Sequence, residues 1–82
     1  MDITNITILI AATSTDPIPV EVKNTDTVKE AKQKYYDKTK LTQFNQWIYD
    51  AEILEDDKTL KEYLISNKDT ITANEATRGG LY

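Results

Sequence analysis

Two alternating apolar stretches near the start of the chain constrain the fold most strongly. Ile6, Ile8 and Ile10 recur with a period of two in ITILI, which places three β-branched side chains on one face of a strand. The same alternation returns at residues 18, 20 and 22, after a turn-forming STDP segment. The two stretches therefore predict a β-hairpin whose apolar face must be covered by another element.

The next segment changes from the period of a strand to that of a helix. Thr27 and Glu30 have the spacing of a capping box, and apolar residues then recur at helical intervals. The pattern predicts an amphipathic helix from about Thr27 to Lys38 that lies on the sheet. The residues expected on its solvated side are Lys29, Lys32, Gln33 and Asp37.

The second half of the chain predicts further strands around one helical turn. QWIYDAEIL is rich in aromatic and branched residues, EDDKTLKEYLISNKD resembles loop and helical turn, and TITANEA predicts a last strand. This order predicts an α+β roll, with a mixed sheet of four to five strands and one main helix on one face. For 82 residues we expect one globular domain over residues 1–75 and a flexible tail over residues 76–82.

Composition excludes several classes of function. The chain has no cysteine and no histidine, which removes disulfides, thiolate nucleophiles, imidazole bases and nearly every zinc site. Its net charge of −4 argues against nucleic acid as a partner. The apolar run near the N-terminus is too short to span a bilayer and lacks a basic region before it. We therefore expect a monomeric cytoplasmic protein without metal, cofactor, nucleic-acid or membrane binding.

The stretch LEDDKTLKEYLI, residues 54–65, resembles the ubiquitin pattern L-E-D-x-x-T-L-x-x-Y-x-I. The resemblance extends from Trp47 to Gly80 and also covers VEVKNTDTVKEAKQK in the hairpin and helix. It implies the β-grasp fold, with Leu54, Leu60 and Ile65 in the core and the hydroxyl group of Tyr63 bound to a neighbouring backbone. It also places Trp47 in the core, with the next residue of that strand facing outward.

The only two glycines of the chain stand side by side in the terminal stretch TRGGLY. Gly79 and Gly80 align with the ubiquitin di-glycine, so the resemblance implies that Gly80 donates its carboxyl group in conjugation. Residues without side chains let an extended tail enter a narrow enzyme channel. Leu81 and Tyr82 lie beyond this glycine, so the chain resembles a precursor that a cysteine or zinc peptidase trims after Gly80.

Several positions that ubiquitin uses for recognition differ here. Ile48 matches the centre of the ubiquitin apolar patch and is the candidate partner surface, but most of the surrounding apolar area is lost. Ala76 replaces the tail arginine read by the ubiquitin-activating enzyme, whereas Arg78 retains the arginine beside the di-glycine. A dedicated activating enzyme is therefore expected. The polar neighbours of Ile48 in the alignment are Thr13, Thr72 and Asn74.

The lysines also differ from those of ubiquitin. Glu52 and Asn67 align with the two lysines most used for ubiquitin chains, so those linkages are chemically unavailable. Lys32, Lys34 and Lys38 align with ubiquitin lysines on the helix and are expected to form a solvated face.

Three functions remain open from the sequence. The first is a protein modifier that works with an activating enzyme, a conjugating enzyme, a processing or deconjugating peptidase and target proteins, as in bacterial ubiquitin-like conjugation operons. The second is a non-covalent module that binds a partner through its sheet face or a strand edge. The third is a sulfur carrier, although such carriers generally end at the glycine. An enzyme is the weakest reading, because acid pairs such as Asp56 and Asp57 are accompanied by no nucleophile.

Overall fold

The computed structural model describes residues 4–12 and 16–75. Five strands, one α-helix and one short 3-10 turn make up this part of the chain. None of its helices is long and apolar enough to cross a membrane. The elements are β1 (Asn5–Ala12), β2 (Ile18–Lys23), α1 (Val28–Thr39), β3 (Gln46–Tyr49), β4 (Glu52–Ile53), the 3-10 turn (Lys61–Tyr63) and β5 (Thr70–Asn74).

The strands form one mixed sheet in the order β2-β1-β5-β3-β4. Strands β1 and β5 run parallel, whereas the β1–β2, β3–β4 and β3–β5 pairs are antiparallel. The α+β roll with a five-stranded mixed sheet and one main helix is therefore confirmed.

The core lies between the helix and the inner face of the sheet. The alternation predicted from the sequence is confirmed at residues 6, 8, 10, 20 and 22, which are all buried, whereas Ile18 is half-buried against the core. Trp47 is fully buried at the centre, where its indole N–H donates to the carbonyl oxygen of Phe44 at 3.0 Å. Its ring meets that of Tyr35 edge to face, with 5.8 Å between centroids. The expected core residues Leu54, Leu60 and Ile65 are buried as well.

The helix begins at the predicted capping box. Thr27 Oγ1 accepts from the backbone N–H of Glu30 at 3.1 Å, and the Glu30 carboxylate accepts from the backbone N–H of Thr27 at 2.8 Å. These bonds satisfy two N–H groups that a helix start leaves unpaired. The helix ends at Thr39, one residue beyond the prediction, where Lys40 takes the left-handed conformation.

Backbone contacts join the helix start to the segment that precedes the 3-10 turn. Thr59 and Glu62 exchange the same reciprocal bonds, at 3.0 Å and 3.2 Å. The bonds from the Thr59 backbone N–H and hydroxyl group lower the pKa of the Glu62 carboxyl group. Thr27 and Thr59 form an antiparallel bridge, and Val28 N donates to the carbonyl oxygen of Lys58 at 2.8 Å. Residues far apart in sequence thus hold the helix start in place.

The prediction that Lys32 lies on a solvated face is wrong. The residue is only 9% exposed, and its Nζ donates to Asp56 Oδ1 at 2.7 Å and to the carbonyl oxygen of Asn45 at 2.6 Å. The reason is that this side of the helix is covered by the chain around residues 45 and 56, where a long aliphatic stem can be buried while its amine finds acceptors.

The other two aligned lysines have specific partners although they remain accessible. Lys34 Nζ forms an ion pair with Asp26 Oδ2 at 2.9 Å, and Lys38 Nζ donates to the carbonyl oxygen of Pro19. Burial raises the pKa of the Asp26 carboxyl group, but the hydrogen bonds from the Lys23 backbone and the Lys34 amine outweigh it and lower the pKa. The solvated face expected from the sequence therefore also connects the helix to strand β2 and to the turn between β2 and α1.

The turns use no glycine in the described part of the chain. Residues with a positive φ angle other than glycine occur at five positions there, and Asp50 and Ala51 (φ 55° and 64°) are the two residues that connect β3 to β4. This conformation costs a residue with a Cβ atom roughly 1–2 kcal/mol. The five positions are Lys40, Asp50, Ala51, Leu64 and Lys68.

Candidate functional site

The candidate functional site is the C-terminal end of the chain. The structure shows where the chain leaves the sheet on its way to that end. Strand β5 lies between β1 and β3, and its last residue, Asn74, pairs with Gln46. Gly80 follows six residues later. The predicted processing, conjugation and recognition residues, which are Ala76, Arg78, Gly79, Gly80 and Leu81, lie outside the described residues.

Ile48 faces outward, as expected, on the sheet face opposite the helix. It is half-buried, and it pairs with Thr72 on one side and with Ile53 on the other. Ile53 is 57% exposed and extends the apolar surface to the sheet edge. Sequence reasoning missed Ile53, although its place next to core residue Leu54 in a strand already indicated an outward direction.

The same strand is fastened to the turn before β5. The hydroxyl group of Tyr49 donates to Asp69 Oδ2 at 2.7 Å, and the backbone N–H of Ser66 donates to the same oxygen at 2.7 Å. The hydrogen bond to Asp69 raises the pKa of the Tyr49 phenol. These bonds fix β3, and with it Ile48, relative to the strand that leads into the tail.

The β2 edge of the sheet is poorly suited to adding a partner strand. Pro19 has no N–H, and its carbonyl oxygen accepts from the Lys38 amine. The Lys23 N–H donates to Asp26 Oδ2 at 3.0 Å, and the Lys23 carbonyl oxygen accepts from the Asp26 N–H at 2.9 Å. Backbone groups that a partner strand would need are thus already engaged at both ends of β2.

The two positions of lost ubiquitin lysines have different environments. Glu52 is exposed in the short strand β4. Asn67 Oδ1 accepts from the backbone N–H of Thr7 at 2.8 Å, and the N–H of Lys68 donates to the Thr7 carbonyl oxygen. Asn67 therefore helps to hold β1, which is a structural role. Tyr63 also behaves as the resemblance implied, since its hydroxyl group accepts from the backbone N–H of Glu55 at 2.8 Å.

The described residues offer few side chains that could act in catalysis or bind a metal. Cysteine and histidine are absent from the sequence, and the described residues contain no group of three or more possible metal ligands. Asp56, one of the two carboxylates considered for acid–base work, is instead the ion-pair partner of Lys32.

A mixed five-stranded sheet that carries one helix on its inner face, with β1 parallel to β5, defines the β-grasp class of fold. The model of the ubiquitin family matches residues 6–78. The chain belongs to the ubiquitin family. A comparison with curated proteins gives no match.

Proposed function

We propose that the protein is a ubiquitin-like modifier, made as a precursor, trimmed after Gly80 and joined through the Gly80 carboxyl group to an amine of a target protein. The observation that carries the proposal is the position of the two glycines. They directly follow the region that matches the ubiquitin family, which ends at Arg78. Gly80 is six positions beyond the last residue of β5, a reach of about 20 Å when extended.

The chemistry requires no side chain of this protein. Hydrolysis of the Gly80–Leu81 peptide bond frees the Gly80 carboxylate. That carboxylate attacks the α-phosphate of ATP, releasing pyrophosphate and forming an acyl-adenylate. An enzyme thiol then attacks the acyl carbon, so that a thioester forms and AMP leaves. A target amine then displaces the thiol and forms an isopeptide bond. The modifier is therefore a substrate and not an enzyme, in agreement with a sequence that has no cysteine or histidine.

The proposed partners are an activating enzyme, a conjugating enzyme, a peptidase and target proteins in the cytoplasm, where ATP is available. Dedicated enzymes are favoured because Ala76 stands in place of a recognised arginine and because Thr72 lies beside Ile48 on the sheet. A set of such enzymes encoded together, as in bacterial conjugation operons, would supply these activities.

The test is an intact-mass assay on the full chain with candidate peptidases and activating enzymes from the genome that encodes it. We expect loss of Leu81 and Tyr82, followed by thioester formation on the activating enzyme. Gly80→Ala should impair both steps because a methyl group crowds the channel and restricts φ, whereas Thr77→Ala serves as the matched control. Thioester formation by the untrimmed chain at the same rate would contradict the proposal.

A non-covalent binding module is the second candidate, and the exposed apolar side chains of Ile53 (57%) and Leu64 (80%) favour it. In that case a partner should be retained equally by the wild type and by Gly80→Ala, with no covalent product. A sulfur carrier would instead yield a thiocarboxylate at Gly80, which the same mass assay detects.

A further inference from the structure

A shallow groove of about 560 Å³ lies next to the point where the chain leaves β5. Its volume is within the range of clefts that hold small ligands. Gln46, the partner of Asn74, forms one side, and Ile53 supplies exposed apolar surface. Glu55 and Asp57 supply carboxylates along the other side.

The groove carries uncompensated negative charge. Of its charged residues, Lys32 and Asp56 neutralise one another at 2.7 Å. Glu55 and Asp57 are both exposed, and the ion pairs within 4 Å among residues 4–12 and 16–75 do not include them. A cation with an aliphatic stem would therefore complement the groove, with the charge on the carboxylates and the stem on Ile53.

We infer that the occupant is the C-terminal segment of the same chain, residues 76–82, held by Arg78. Arg78 is the only arginine in the sequence, and it follows Asn74 by four residues, a reach of up to about 13–14 Å. The antiparallel register of β3 and β4, continued by two residues, puts Glu55 opposite Gln46. Glu55 is then about 10 Å from Asn74, two interstrand spacings away.

In this arrangement the guanidinium of Arg78 binds Glu55 and Asp57 while its stem covers Ile53. The tail, for which the sequence alone indicated no anchor, gains one at Arg78. Gly79 and Gly80 follow Arg78 directly in the sequence. The docked arginine is inaccessible to a protein that would recognise it. Salt releases the arginine because both carboxylates are exposed. The contact does not depend on conjugation through Gly80.

The test uses NMR spectra of the full chain, with the Ile53 methyl groups, the Gln46 side-chain amide and the Arg78 Nε–H as probes. Arg78→Ala should shift the Ile53 and Gln46 signals, and the double change Glu55→Gln with Asp57→Asn should shift them in the same direction. Combining all three changes should add nothing further. In about 1 M salt the Ile53 and Gln46 signals of the wild type and of Arg78→Ala should coincide.

Two controls keep the result specific. Glu21→Gln removes an exposed carboxylate from β2, and Thr77→Ala changes the tail without removing charge, so both should leave the Ile53 signals in place. If Arg78→Ala affects only its sequence neighbours, the docking is overturned. If the effect weakens on dilution, the groove binds the tail of a second copy, which overturns the intramolecular contact.

Discussion

Removing either member of the Lys32–Asp56 pair should destabilise the protein, but by unequal amounts, because the partners differ in exposure. The side chain of Lys32 is 11% exposed and that of Asp56 is 57% exposed. Lys32→Met retains a long apolar stem and leaves behind a carboxylate that water can solvate. Asp56→Asn leaves behind an ammonium group that is nearly buried. Of the two hydrogen bonds that this group donates, the one to the Asn45 carbonyl oxygen is unchanged.

The magnitudes follow from what each change leaves behind. Lys32→Met loses a partly exposed ion pair and one net hydrogen bond, so we expect about 1 kcal/mol. Stranding a fully buried charge costs about 3–5 kcal/mol. The ammonium of Lys32 lies at the rim of the core and retains one acceptor, so we expect about 2–3 kcal/mol for Asp56→Asn.

Urea denaturation would measure both losses. With a slope near 1 kcal/mol per molar for a domain this small, the midpoint should fall by about 1 M for Lys32→Met and by about 2–3 M for Asp56→Asn. Lys29→Met, on an exposed helix position, is the matched control and should change stability by less than about 0.5 kcal/mol. Equal losses from Lys32→Met and Lys29→Met would refute a buried amine. A larger loss from Lys32→Met than from Asp56→Asn would refute the exposure argument.

Four further predictions concern single positions. Trp47→Ala should lower the unfolding free energy by about 3–5 kcal/mol and Ile48→Ala by about 1 kcal/mol, and equal losses in urea would mean a strand register shifted by one residue. Tyr35→Phe should leave stability unchanged or raise it by up to about 1 kcal/mol, because its buried hydroxyl oxygen has no hydrogen-bond partner in the described part of the chain. A fall in the calorimetric melting temperature would mean that the hydroxyl group does form a stabilising hydrogen bond. Ala51→Gly should raise stability by about 0.5–1 kcal/mol by removing a Cβ atom from a left-handed turn, and a lower melting temperature would contradict that. The pKa of Asp26 is lowered from 3.8, so the ionised carboxylate stabilises the fold above that pH and this stabilisation is lost as the pH falls through the lower folded value. Asp26→Asn should therefore reduce the dependence of the unfolding free energy on pH in this acidic range, and an unchanged dependence would argue against this linkage.

The sequence predicted the fold well because its signals are local. The alternation of residues 6, 8 and 10 and the Thr27–Glu30 box are each confined to a few positions, and both are found in the structure. The strand period, the helix cap and the resemblance to the ubiquitin pattern all indicate the same order of elements, so few alternative folds were compatible with the sequence. The outward direction of Ile48 followed from the same period of two.

The features that the sequence did not predict depend on residues distant along the chain. The sequence pattern predicts Lys32 on the solvated side of the helix together with Lys29 and Gln33, yet its amine binds groups 13 and 24 residues away. The groove beside Gln46 and Glu55 likewise exists only once β3 and β4 are paired. No local pattern reports such contacts, since burial there is set by the covering loop.

The proposed conjugation through Gly80 is tested most directly on target proteins from cells that encode this chain. Trypsin cleaves after Arg78, so a conjugated target lysine should retain a Gly79–Gly80 remnant on its side-chain amine, identified by peptide mass spectrometry. In cells that carry Gly80→Ala, whose trimming and activation should both be impaired, the same lysines should lose the remnant, which assigns the modification to this chain. Remnants that still contain Leu81 and Tyr82 would contradict trimming, and target lysines without any remnant from this tail would contradict the modifier function itself.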